Sequence, residues 1–411
     1  MIAGDKPETM HGRSLDLTAA ARFPFGAAPV RLALALLLVL AVAAGARAQD
    51  DPGFQTKARE AILVDVDTGA VLFQKDADVA AAPANMAKLM TMAVVFKALR
   101  EGRLKLDDEF VVSETAWRQG GAPARGTTMF AELGSSIRVE DLIRGVIIQS
   151  ANDGCIVLAE GLAGTQEAFV PLMNEEAKRL GLSNSRFANV TGLPDPGQVM
   201  SVRDIATLTA HLIREYPDLY RIYAEPEFTW NKIRQLNRNP LLGMNIGADG
   251  LVTGSTEDSG FGLAGSTVQN GQRLIVAMNG ADTDKVRAEE ARKLIDWGYR
   301  EFQRVEVFGA GDVIAEARVF NGAQSRVGLV SKAPVEFLMP QSTRVTLRAE
   351  VVYEGPLPAP VAAGRAVGYV RVMTTDGMET RAPLYTAADV GVGSLTTRAL
   401  DGLEELLLGW W

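Results

Sequence analysis

Residues 83–91 read PANMAKLMT, and they open an apolar run that predicts a helix over 86–101, stopped by Gly102. Asn85 reads as the N-cap, because its side-chain oxygen can accept an orphan backbone N–H. Three residues on, where a capping box places Glu or Gln, stands Lys88. A cation in the first turn opposes the helix dipole, at a cost of about 0.3–1 kcal/mol. As plain structure Asn85 is accounted for as a cap. Lys88 is not, because a helix apolar on nearly every face leaves it little water. The pair points to chemistry at the helix mouth.

The chain around this stretch has 411 residues, enough for two domains. A net charge of −8 with no basic stripe argues against nucleic acid as a partner. The two histidines, His11 and His211, and the lone Cys155 cannot form a zinc cluster or an intrachain disulfide. No metal or other cofactor is expected. Arg22 and Arg31 precede LALALLLVLAVAA (32–44), and Ala46-Arg47-Ala48 follows. A positive flank, a short apolar run and an A-x-A site predict a signal peptide over 1–48 and export to the periplasm. An uncleaved anchor is the weaker alternative, since a span needs about 20 residues.

Beyond residue 54, AILVDVDTGAVLFQKDAD (61–78) predicts a hairpin around Asp-Thr-Gly. GGAPARGTT (120–128) reads as a loop. VEDLIRGVIIQS (139–150), CIVLAEGLAG (155–164), EAFVPLMNEEAKRLGL (167–182) and SVRDIATLTAHLIREYP (201–217) have helical spacing, the last with a Ser N-cap. GADGLVTGST (247–256) and RLIVAMNGA (273–281) read as strands of one sheet, and 288–302 as a closing helix. Composition then shifts to short strands separated by turns, a small β-sandwich over 305–390. The tail, 392–411, places Leu395, Leu400, Leu403, Leu406, Leu407 and Trp410-Trp411 on one stripe. It predicts an amphipathic helix on the outer surface of the inner membrane, with packing on the protein itself as the alternative.

Three clusters carry the chemistry: Asn85-x-x-Lys88, Ser150-Ala151-Asn152 and Val252-Thr253-Gly254. Their order and context resemble the serine penicillin-binding proteins, specifically the low-molecular-weight D-alanyl-D-alanine carboxypeptidases. Those enzymes carry S-x-x-K at the start of a buried helix, S-x-N on a turn and K-T-G on a strand. The likeness runs through AILVDVDTGAVLF, TTMFAELGSS, VEDLIRGVIIQSAND, NVTGLPDPGQVMSVRDIA and DGLVTGSTEDSGF into the β-rich tail, covering nearly all of 54–411. It implies an α/β (α+β) β-lactamase/transpeptidase-like domain over 54–303, with helices around an antiparallel sheet, followed by the all-β domain.

The resemblance implies roles. Lys88, one turn from position 85 and buried, would be the base. Ser150 would relay a proton, and Asn152 would hold Lys88 and the substrate amide. Thr253 and Gly254 would pair with the extended stem peptide of peptidoglycan and bind its carboxylate. Three positions depart, Ala87 among them, where the family often has a hydroxyl. Asn85 occupies the nucleophile's place, and Val252 the strand lysine's. Losing such a nucleophile lowers kcat by about a millionfold in a comparable hydrolase. The expectation is a catalytically impaired relative that binds stem peptide or regulates wall enzymes, and that β-lactams do not acylate. Asn85→Ser alone is expected to restore little, because Val252 supplies no cation. The alternative is an active carboxypeptidase that removes the terminal D-Ala of pentapeptides.

Overall fold

The computed structural model describes residues 54–340, 347–374 and 379–399, and the backbone of 16–22. Among these, 54–299 form one compact unit, and those from 300 onward, with 16–22, form another.

The first unit is built on a five-stranded antiparallel sheet. Its order is Val71–Lys75, Glu60–Asp65, Gln272–Ala281, Gly260–Gln269, Ala248–Thr256. The expected hairpin forms, and its turn is closed by Asp65, whose Oδ1 accepts from the Thr68 N–H at 2.9 Å and hydroxyl at 2.7 Å. The central strand Gln272–Ala281 is covered on both faces, so its residues from Leu274 onward are buried without alternation. The strand Gly260–Gln269 escaped the sequence reading. Its glycines weaken strand propensity, and double burial removes the period-two signal.

Helices cover the sheet. Lys88–Arg100 is the core helix, with Leu89, Met90, Met92, Val95 and Phe96 almost wholly buried. Each such side chain contributes about 1.5–3 kcal/mol by leaving water. It packs among Asn152–Ala163, Gln166–Arg179 and Val202–Glu215. The last of these starts as expected, with Ser201 Oγ accepting from the Asp204 N–H at 3.2 Å. A helix over Val139–Gln149 ends at Ser150, and a hairpin of Glu227–Trp230 and Ile233–Leu236 follows later in the chain.

The second unit is all β. Its larger sheet runs Asp16–Arg22, Leu347–Glu354, Ala366–Thr374, Glu379–Thr386, Arg326–Val330, Val313–Phe320, Leu357–Pro358. Phe302–Phe308 and Val335–Pro340 pair separately. Alternation along Leu347–Glu354 puts Leu347, Ala349, Val351 and Tyr353 into one apolar core with Val370, Val372 and Leu384. Most of the expected signal peptide and the tail from Leu400 lie outside the described residues. Leu395 is described, and it is 81% exposed.

Candidate active site

The site begins at the helix mouth, and there the capping expectation fails. Ala84–Ala87 form a 3-10 turn ahead of the α-helix, and neither start has a side-chain cap. Asn85 lies inside the turn, so its carboxamide cannot reach back to cap it. Its Oδ1 instead accepts a hydrogen bond from Lys88 Nζ at 2.6 Å. Ala84 takes a left-handed φ of 48°, an uncommon conformation for a residue with a Cβ, of the sort held in place at functional sites.

Lys88 is 2% exposed. Besides Asn85, its ammonium donates to Asn152 Oδ1 at 2.8 Å and to the Thr191 carbonyl. Three oxygens therefore offset part of the cost of burying a cation in the first turn. None belongs to a carboxylate, so dehydration prevails and pulls the lysine from 10.5 down to about 8. The field of Arg238 adds to the lowering, while Asp153 opposes it. An amine in that range is a usable base near neutral pH.

Thr191 is delivered by the loop 189–192. Asn189 Oδ1 accepts from the N–H groups of Thr191 at 3.1 Å and Gly192 at 2.8 Å, which folds the loop on itself. Gly192 has φ +85°, and a Cβ there would lie 1.9 Å from the Ala84 carbonyl oxygen. Only glycine lets this loop approach the turn that carries Asn85.

Ser150 and Asn152 form the opposite wall. Ser150 is buried with φ 58° and ψ 39°, and its carbonyl accepts from Thr127 Oγ1 at 2.6 Å. Its hydroxyl makes no hydrogen bond to Lys88. The Asn152 N–H donates to the Thr127 carbonyl at 2.8 Å. Behind them Asp153, fully buried, accepts from the Thr128 hydroxyl at 2.5 Å and from the N–H groups of Met129, Ala131 and Gly154, each at 3.0 Å. This carboxylate ties the 127–131 loop to the helix Asn152–Ala163. Cys155 is core, its thiol pushed up to about 12 by burial.

The third wall is the strand Ala248–Thr256. Gly254 pairs with Gly262, and a Cβ on it would lie 2.8 Å from the Asn85 nitrogen. The strand backbone thus runs against the Asn85 N–H, which as part of a helix's first turn has no partner one turn back. Thr253 is 6% exposed, and its hydroxyl reaches only the Arg238 carbonyl, at 3.4 Å. Val252 is 5% exposed and belongs to the hydrophobic core.

The fold therefore brings Asn85, Lys88, Asn152, Thr253 and Gly254 to one place, with Ser150 on its wall. Val252 brings an apolar side chain and no charge. Sequence reading missed Thr191, Asp153 and Arg238. Thr191 acts through its carbonyl, which no residue type advertises. Asp153 directly follows Asn152, and a buried acid at that spot was readable as a tie.

Known proteins agree with this construction. The D-alanyl-D-alanine carboxypeptidase family of peptidase group S11 matches residues 45–283, and the penicillin-binding protein 5 C-terminal domain matches 302–392. The chain is 40% identical over 347 residues to the D-alanyl-D-alanine carboxypeptidase DacC of Escherichia coli (strain K12), covering 84% of this chain and 87% of that one. It is 36% identical over 391 residues to DacA of the same organism, covering 93% and 97%. The crystal structure of penicillin-binding protein 5 from Haemophilus influenzae superposes with a TM-score of 0.74 at 35% identity, over 82% of this chain and 98% of that one. By fold, domain composition and sequence, this chain belongs to the D-alanyl-D-alanine carboxypeptidase family of cell-wall metabolism.

Proposed function

We propose that this chain binds the D-Ala-D-Ala end of the peptidoglycan stem peptide without forming an acyl-enzyme, and serves wall metabolism by recognition or by regulating wall enzymes. One observation carries the reading: the group facing the Lys88 ammonium at 2.6 Å is the Asn85 carboxamide oxygen. An amide nitrogen shares its lone pair with the carbonyl, so it supplies no nucleophile for the base to activate. The grouping of Asn152, Thr253 and the Gly254 backbone around Asn85 and Lys88 supports the binding half of the reading. Incubation with a D-Ala-D-Ala pentapeptide should give measurable binding and no free D-alanine. Release at the rate of an active relative refutes the reading.

A second reading is an active carboxypeptidase. Lys88 at about 8, with Asn152 attached, favours it, as do the activities in the names of DacC and DacA. It predicts D-alanine release that disappears in Ser150→Ala. We further propose export to the periplasm on the strength of residues 32–44, and membrane-surface contact through 392–411 on the strength of their apolar stripe.

A further inference from the structure

One end of the five-stranded sheet is open. The strand Gln272–Ala281 slips register between Met278 and Ala281, and Gly280 there takes φ +73°. Such a bulge interrupts the ladder and bends the strand aside. A cavity of about 740 Å³ lies there, lined from the segments 57–59, 255–261 and 280–282. Ligand pockets run from about 300 to 1,000 Å³. The cavity is on the face away from Lys88. Gly262 faces the 3-10 turn, since a Cβ on it would lie 2.5 Å from Met86 Cε. Alternation turns its neighbour Phe261 to the opposite face, where the Arg287 guanidinium stands 5.8 Å from the ring.

Its walls are fixed. Arg59 Nη2 donates to the carbonyls of Asp258 at 3.1 Å and Ser259 at 2.5 Å, which ties the start of the strand Glu60–Asp65 to the hairpin turn. The Thr256 and Ser259 hydroxyls, 2.6 Å apart, close that turn. Lys57 and Arg59 line the cavity together with Glu257, Asp258 and Asp282. Among the described residues, none of these five side chains makes an ion pair. The mixture excludes the simpler ligands. An anion would face three carboxylates, a cation two bases, and an apolar group would dehydrate all five charges. A single amino acid matches one charge of each sign and leaves three unmatched. A hydroxyl both donates and accepts, so a polyol serves both signs at once. The half-buried Phe261 offers an apolar surface to the C–H face of a sugar ring.

We propose that this cavity binds a neutral oligosaccharide. The carboxylates accept from its hydroxyls, Lys57 and Arg59 donate to them, and Phe261 carries one ring. In a protein of cell-wall metabolism the polymer of this class is the glycan strand. The proposal stands independently of the stem-peptide reading, because the two sites lie on opposite faces of the sheet.

The test is titration calorimetry of the full chain with tetra-N-acetylchitotetraose, in the absence of peptide. The wild type should bind it saturably, in the millimolar range or tighter. Lys57→Ala and Asp282→Ala, both at exposed positions, should each weaken binding by about tenfold, the reach of one hydrogen bond to a charged group. Loss from both signs is the signature of a neutral ligand that uses both, and tighter binding in either variant overturns the proposal. Affinity should change by less than about twofold between about 50 and 500 mM salt, because the ligand carries no charge to screen. No saturable binding by the wild type, or binding that neither variant weakens, also overturns it. So does displacement of the tetrasaccharide by a D-Ala-D-Ala peptide, which would put the sugar in the Lys88 site and leave the stem-peptide reading standing.

Discussion

Replacing Lys88 with Met should change how stability depends on pH, and the size follows from the site. Lys88 titrates at about 8 in the folded chain against an ordinary 10.5. Between those values the unfolded chain keeps the proton and the native one has lost it. The unfolded state then binds more protons, so stability rises with pH. The penalty is full below pH 8 and is relieved as pH climbs toward 10.5. A gap of that size corresponds to roughly 3 kcal/mol in all, and to about 2 kcal/mol between pH 7 and 9.5. Urea unfolding of wild type and Lys88→Met at those two pH values gives the difference of differences, in which shared titrations cancel. The wild type should gain about 2 kcal/mol over the variant on going to pH 9.5. No relative gain would mean that the oxygens of Asn85, Asn152 and Thr191 hold the ammonium charged despite burial. The argument that dehydration prevails would then be refuted.

Other outcomes follow from the same geometry. Asn85→Ser restores a hydroxyl beside Lys88 but no strand cation, so it should take up little fluorescent penicillin; adding Val252→Lys should give clear labelling, and strong labelling of the single variant would show that the strand cation is not needed. Asp153→Ala strips a buried acceptor from four donors and should cost about 3–5 kcal/mol in chemical denaturation. Gly192→Ala drives a Cβ into the Ala84 carbonyl and should cost about 3 kcal/mol or more, seen as a lowered Tm.

Much of this was legible in the chain because its signals are local. PANMAKLMT announced a buried helix with a misplaced cation, and SAND and VTG marked the other walls. The hairpin at Asp65 and the helix at Ser201 followed from turn and cap chemistry. What stayed hidden is non-local. Asn85 reads as a cap only while Lys88 is imagined in water; once the lysine is buried, its charge captures the carboxamide. The Thr191 carbonyl and the Gly192 approach depend on a loop about a hundred residues away in sequence. Arg238 sits in an unremarkable NRN run, and its hydrogen bond to the Gln149 carbonyl exists only in three dimensions. The strand Gly260–Gln269 was lost because burial on both faces erases the alternation that reveals a strand.

The central claim is that the site binds and does not acylate. Its most direct test is intact-mass analysis of the wild-type protein after saturation with penicillin at neutral pH. The mass should stay that of the unmodified chain. Addition of one penicillin, removed by Ser150→Ala or retained without it, would show a working nucleophile and contradict the account.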